Sequence, residues 1–251
     1  MNAAQSPFSD SLRVRRIAWH EYADESEWAK QASAAVRRAL QRALDTSAAV
    51  RMLLSGGSTP APVYRALSDA DIDWERVEVG LVDERDVDPG ADGSNARLLR
   101  ATLLQGRAAA AGFALLRDTH RTIVADVVAA NAQWHASTTD SPLAVVVLGM
   151  GDDGHTASLF PGAANLDAAL ASREPYAVID ASGCPVAGAW TRRISLTPSG
   201  LSESGHRLLL IRGAEKRAVL ARALAVGDAR EMPIRLAFDL PGAALDVHWC
   251  A

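Results

Sequence analysis

Three short stretches carry groups suited to chemistry on a small anion: Ser55-Gly56-Gly57-Ser58-Thr59, Asp83-Glu84-Arg85 and Gly149-Met150-Gly151-Asp152-Asp153-Gly154-His155. In the first, Gly56 and Gly57 let backbone N–H groups approach an anion, and the hydroxyls of Ser55, Ser58 and Thr59 add donors. The helix expected after Pro60 would present its positive end to the same point. Composition alone equally allows an ordinary glycine-rich turn. The stretch is not a nucleoside-triphosphate loop, because no Gly-Lys-Ser/Thr follows at the required spacing.

The third stretch contains Gly149-x-Gly151-x-x-Gly154, the spacing of a dinucleotide fingerprint. That reading is rejected: Asp152 and Asp153 would meet a pyrophosphate with the wrong charge, and the fingerprint belongs on the first strand-to-helix turn of its unit. A lone histidine is usually structural. His155, held on a glycine-rich loop with carboxylates beside it, is better placed to act as a base near neutral pH. The carboxylates Asp83, Glu84, Asp86, Asp88, Asp152 and Asp153 fit no calcium loop, since Asp86-x-Asp88 runs into Pro89 and lacks the distal Glu. They read as a solvated acidic loop, and no metal site is assigned.

These stretches need strands to position them. Asp24 and Glu27 form a capping-box pattern ahead of Trp28, Ala32, Ala35, Val36, Ala39, Leu40, Ala43 and Leu44, an amphipathic helix. Strands are expected at 49–54, 77–82, 143–148, 176–180, 193–196, 208–212 and 244–249. Helices are expected at 61–67, from the N-cap Ser94, at about 121–136 and at about 214–225. Residues 83–93 read as a long acidic loop. Strands alternating with helices predict an α/β fold with a mainly parallel sheet covered on both faces. In such a sheet a ligand sits beyond the carboxyl ends of the strands, where all three stretches lie. Residues 1–12 are expected to be disordered and 13–251 to form a single domain.

Composition narrows the function. With 26 basic against 30 acidic residues the net charge is −4, which offers no broad attraction to nucleic acid or to an anionic membrane, so any anion site must be local. Cys184 and Cys250 suggest neither a disulfide framework nor a zinc site, and a reducing compartment fits best. No signal peptide is read in 1–16, and the apolar run 143–148 is too short to span a bilayer. A cytoplasmic protein is expected; the sequence gives no oligomeric state.

The run Gly149-Met150-Gly151-Asp152-Asp153-Gly154-His155-Thr156-Ala157-Ser158-Leu159-Phe160-Pro161-Gly162 resembles the signature of 6-phosphogluconolactonases. The resemblance extends, in the family's order, to Ser55–Pro60, to Asp83-Glu84-Arg85 followed by Ser94-Asn95, to Arg193-Ile194-Ser195-Leu196-Thr197, and to Gly213-Ala214-Glu215-Lys216-Arg217. It implies a Rossmann-like fold shared with glucosamine-6-phosphate deaminases and ribose-5-phosphate isomerases. It also implies hydrolysis of 6-phospho-D-glucono-1,5-lactone in the oxidative pentose phosphate pathway, without a cofactor, the phosphorylated sugar lactone being the expected small-molecule partner.

Deaminases share the Gly-x-Gly-x-Asp-Gly-His stretch, but they continue toward Phe-Asn-Glu-Pro rather than Thr-Ala-Ser-Leu-Phe-Pro. A hexosamine-phosphate deaminase or isomerase and a noncatalytic sugar-phosphate sensor remain the rival readings. One stretch departs from the family pattern: Cys184-Pro185-Val186-Ala187-Gly188-Ala189-Trp190 replaces a segment that commonly carries Pro and Lys.

On this reading the 6-phosphate is held by Ser55, Gly56, Gly57, Ser58 and Thr59, by Arg85 and Lys216, and more weakly by Arg193. His155 takes a proton from water. Asp83 or Asp153 orients it; Asp83 is preferred as the partner near the reacting centre, because Asp153 within the tight loop also reads as a turn residue bonding its own backbone. Backbone N–H groups among Gly149, Gly151, Asp153 and Gly154 are candidates for an oxyanion site.

Overall fold

The computed structural model describes residues 7–15, 17–137 and 141–251. Its strands are β1 (Ile17–Tyr22), β2 (Val50–Leu54), β3 (Val77–Leu81), β4 (Asp83–Arg85), β5 (Gly112–Phe113), β6 (Leu143–Leu148), β7 (Tyr176–Asp180), β8 (Arg192–Leu196), β9 (Arg207–Arg212) and β10 (Leu245–Cys250). The helices are α1 (Pro7–Val14), α2 (Glu25–Leu44), α3 (Ala61–Ser68), α4 (Asn95–Thr102), α5 (Ile123–Ser137), α6 (Leu166–Leu170), α7 (Pro198–Ser202), α8 (Gly213–Ala223) and α9 (Leu236–Asp239).

The central sheet has seven strands in the order β1-β10-β9-β6-β2-β3-β5, every pair parallel. Every residue of β2 and of β6 is buried, so both faces of the sheet's middle are covered. That is why Val-Arg-Met-Leu-Leu and Leu-Ala-Val-Val-Val-Leu lack the alternation of a half-exposed strand. Arg51, the one charge in these runs, donates from Nε to the Ser141 carbonyl at 2.8 Å and lies over the Trp134 ring. One cluster of buried side chains extends from Leu12 to Cys250.

Helix α2 starts as the sequence predicts: the Asp24 side chain accepts the Glu27 N–H at 2.8 Å. Trp28, Ala32, Val36, Leu40 and Leu44 are buried along one stripe, and Trp28 Nε1 donates to the His248 carbonyl on β10. Ser94 caps α4 by accepting the Arg97 N–H.

Three expectations change. The start of the chain is not disordered from residue 7 onward: α1 is a helix whose Leu12 is buried and whose Phe8 meets Trp19 edge-on at 5.2 Å. Apolar contact with β1 offsets the entropy of ordering it. Residues 1–6 of that expectation lie outside the described residues. The segment expected as a loop from Asp83 opens with β4, which pairs antiparallel with β8, and β8 with β7, in a separate three-stranded sheet. Lastly, β1 is a strand although no strand is read at 17–22. Among the described residues, no helix is long and apolar enough to cross a membrane.

Candidate active site

Strand order brings the predicted stretches together. Strands β9, β6, β2 and β3 are consecutive neighbours, so the residues at and just beyond their ends (Arg212-Gly213, Gly149–His155, Ser55–Thr59 and Asp83) emerge side by side at one rim. Between them lies a cavity of about 260 Å³. Its lining includes Ser55 to Pro60, Asp83, Arg85, Asn95, Gly149 to Gly151, His155, Ala157, Arg193, Arg212 and Lys216. Arg85, Arg193, Arg212 and Lys216 face Asp83 as the one lining carboxylate among the described residues, so this rim of a net-negative chain favours an anion.

The loop after β6 is locked on itself. Gly151 N donates to the His155 carbonyl at 2.9 Å, Gly154 N to the Gly151 carbonyl at 3.1 Å, and Thr156 Oγ1 to the Gly149 carbonyl at 2.9 Å. The Gly151 and Gly154 amides are thus spent inside the loop and do not serve as oxyanion donors. Gly154, at φ +82°, packs against Met232 and does not line the cavity; Gly149 and Gly151 do. Ala157, on the cavity wall, has φ +51°, a left-handed conformation that costs a residue with a Cβ of order 1 kcal/mol or more.

The partner of His155 is Asp153, not Asp83. Asp153 Oδ1 lies 2.6 Å from His155 Nδ1 and also accepts the His155 backbone N–H at 3.1 Å. Burial opposes the charge on Asp153, yet the hydrogen bonds and charge of His155 outweigh it and hold the carboxyl below its ordinary range. The Phe160 ring packs on the imidazole with centroids 4.3 Å apart. With a proton on Nδ1 directed at the carboxylate, Nε2 presents a lone pair.

Asp83 does a different job. Its Oδ2 accepts from Ser158 Oγ at 2.5 Å, its Oδ1 from Asn95 Nδ2 at 3.2 Å, and Arg193 Nη1 stands 3.9 Å away. From the cavity wall it ties the His155 loop, α4 and β8 together. The adjacent Glu84 accepts from the backbone N–H groups of Arg85, Asn95 and Ala96 and from Ser94 Oγ. Burial raises the Glu84 pKa against the pull of those donors.

The first turn of α3 has no side-chain cap, nor has that of α8, whose Arg212 N-cap and Lys216 line the cavity. Their amides add to the positive potential of the rim. Gly56 is required here for room: a Cβ would overlap the Asn95 side-chain amide. Ser55 Oγ is buried without a partner, an orphaned donor on the cavity wall.

Lys216 Nζ bonds the Met150 carbonyl at 2.7 Å and Asp152 Oδ1 at 2.6 Å, which gives Asp152 a partner that the sequence reading did not. Arg85 and Arg193 are directly paired across β4 and β8. Arg193 is held by the carbonyls of Trp190 and Ala187, each at 2.8 Å. Arg85 donates to the Gly93 carbonyl and lies 5.7 Å from the Trp190 ring. The divergent 184–190 stretch therefore serves to fix both arginines. Arg212 was missed by the sequence reading; its guanidinium pairs with Glu25 at 2.7 Å and leaves Nε buried and unpartnered.

A family model described as glucosamine-6-phosphate isomerases/6-phosphogluconolactonase matches residues 23–249. The chain belongs to this family. Within it, a 6-phosphogluconolactonase of Xylella fastidiosa strain Temecula1 is 46% identical over 230 residues, covering 92% of this chain and 95% of that protein. One from Rhizobium meliloti is 40% identical, with 92% and 97% covered. Among solved structures, a 6-phosphogluconolactonase from Shewanella baltica superposes with a TM-score of 0.86 at 35% identity, covering 94% of this chain and 98% of that one. The family's sheet and rim are thus the frame in which His155 and the cavity arginines stand.

Proposed function

We propose that the chain hydrolyses 6-phospho-D-glucono-1,5-lactone to 6-phospho-D-gluconate, with His155 as general base. The observation that carries this reading is the Asp153–His155 pair at 2.6 Å on the wall of a cation-lined cavity. It supports one basic nitrogen, Nε2, within reach of a sugar phosphate whose anionic end is held elsewhere in the same cavity.

Water attacks the lactone C1 carbonyl as it gives a proton to His155 Nε2. The tetrahedral oxyanion then collapses, the bond from C1 to the ring oxygen breaks, and the imidazolium returns its proton to that oxygen as it leaves. The product carboxylic acid ionises, so each turnover releases one proton. Asp153 keeps the tautomer and stabilises the transient imidazolium, a contribution that forms part of the ~10²–10⁴-fold typical of general-base catalysis. Arg85, Lys216, Arg212, the Ser55–Thr59 segment and the start of α3 hold the phosphate by charge-assisted bonds. Arg193, on the same wall, sets Asp83 and stands beside Arg85. Residues 13–251 are read as one functional unit.

The test is proton release from freshly generated 6-phosphogluconolactone, corrected for spontaneous hydrolysis, in wild type and His155→Ala with a chelator present. Fast release that is lost in the variant supports the reading. A folded wild type that does not accelerate release, but makes a ketose from glucosamine 6-phosphate or binds sugar phosphate without turnover, sinks it.

A further inference from the structure

Away from the cavity, β1 and β10 bring together side chains that lie 226 and more positions apart in the chain. The parallel register sets His20 opposite His248 and Ala18 opposite Asp246, so His20, Asp246 and His248 share one face of the sheet. One nitrogen of each imidazole and a carboxylate oxygen of Asp246 lie within 4.8 Å of one another. None of the three lines the active-site cavity.

Two further observations separate this cluster from an incidental group of polar residues. His248 is 2% exposed, and its Nε2 is buried with no hydrogen-bond partner, while its Nδ1 is 2.8 Å from Tyr22 Oη. If Nδ1 donates to Tyr22, Nε2 is a buried bare lone pair; in the other tautomer it is a buried orphan N–H. Either leaves a polar atom unsatisfied, and a cation on Nε2 would satisfy it and fix the first tautomer. His206, just before β9, stands 3.2 Å from Asp246 Oδ2 and so orients that carboxylate, as outer-shell groups do around metal ligands.

We infer that His20, Asp246 and His248 form a site for a divalent transition-metal ion of the zinc class, with His206 positioning the carboxylate. Imidazole with carboxylate is the donor set of zinc, cobalt and nickel rather than of calcium or magnesium. With no two of the three atoms more than 4.8 Å apart, a point exists within about 2.8 Å of all of them, against ~2.0–2.1 Å for zinc–imidazole bonds, so the ligands need close in by no more than ~0.7 Å. His20 supplies most of that freedom: its side chain is 41% exposed, and its ring, now stacked on His248 at 4.6 Å, is able to swing. Arg38 of α2, which acts electrostatically on His248 and Tyr22, is the opposing charge, and Asp246 offsets it. The fourth position is left to water. The site clips the edge strand β1 to β10. The absence of a metal site expected from sequence rested on cysteine spacing and on the acidic loop, and this cluster uses neither.

The probe is cobalt(II), titrated into chelator-stripped, full-length protein and read by its d–d absorption, with melting temperature in zinc(II) as the second readout. The expected result is one equivalent bound with a low-coordinate spectrum and a rise in melting temperature. Both should be weakened by about tenfold or more in His20→Ala and Asp246→Asn and unchanged in His155→Ala. His20→Ala alters a partly exposed side chain and Asp246→Asn is isosteric, so loss of fold does not confound the comparison. No binding by wild type, equal binding by His20→Ala, or binding abolished by His155→Ala alone would each overturn the proposal. The outcome is independent of the lactonase assay.

Discussion

Asp153 Oδ1 stands 2.6 Å from His155 Nδ1 and 3.1 Å from the His155 backbone nitrogen, so one carboxylate oxygen fixes both the ring and its peptide. Asp153→Asn puts an amide where the ring needs a full negative charge, which weakens the imidazolium and frees the other tautomer. The kcat should fall by ~10²-fold or more with KM nearly unchanged, whereas His155→Ala should lose ~10²–10⁴-fold. Steady-state kinetics of both variants check this. An Asp153→Asn enzyme with wild-type kcat would remove Asp153 from the mechanism.

The same contact has a pH signature. The folded Asp153 carboxyl lies below its ordinary value, so the unfolded chain binds its proton more readily. The stabilisation is therefore fully present above the unfolded pKa of about 3.9 and lost as pH falls through the lower folded value. Denaturant unfolding should show wild type ahead of Asp153→Asn by a constant margin from about pH 5 upward, shrinking only below about pH 4. A margin already gone at pH 5 would contradict the depressed carboxyl.

The cavity cations divide by how they are held. Lys216 and Arg212 reach the rim with exposed acidic partners, Asp152 and Glu25, that a phosphate can displace. Lys216→Ala and Arg212→Ala should each raise KM by ~10- to 100-fold, the worth of a charge-assisted hydrogen bond, and leave the fold intact. Arg193 is 5% exposed and anchored by the Ala187 and Trp190 carbonyls. Arg193→Ala should lower the melting temperature as well as activity, because it strands those carbonyls and Asp83. Kinetics and thermal melts run on one set of preparations separate the two patterns.

How far the sequence could be read follows from where each signal resides. Helix α2 and strand β6 were legible because their evidence is local: the Asp24 cap with its 3.6-residue stripe, and six consecutive apolar residues between polar breaks. Strand β4 was not, since three residues of Asp-Glu-Arg become a strand only by pairing with β8, more than a hundred positions on. The loops that meet at the cavity were found through their glycines and hydroxyls. The choice of partner for the ring was not legible, because Asp153 as a turn residue and Asp153 as the ring's partner have the same sequence. Arg212 carried no signal at all, being one more basic residue at the end of an apolar strand.

Gly151 offers the sharpest separation of catalysis from folding. Its φ is not among the left-handed values, so alanine fits the backbone. A Cβ there would sit 2.5 Å from Asp153 Oδ1 and closer still to His155 Nδ1, which forces the pair apart or turns the ring away from the cavity. Overpacking of this kind costs about 1–3 kcal/mol when neighbours cannot move, and here the neighbour that moves is the His155 ring itself. Gly151→Ala should therefore melt within a few degrees of wild type and retain phosphate-ligand affinity while losing most of its kcat. Thermal melts, inhibition by 6-phosphogluconate and kcat measured together decide it: kcat near wild type would mean that His155 does not need the position it occupies, and the assignment of Asp153 as its partner in catalysis would fall with it.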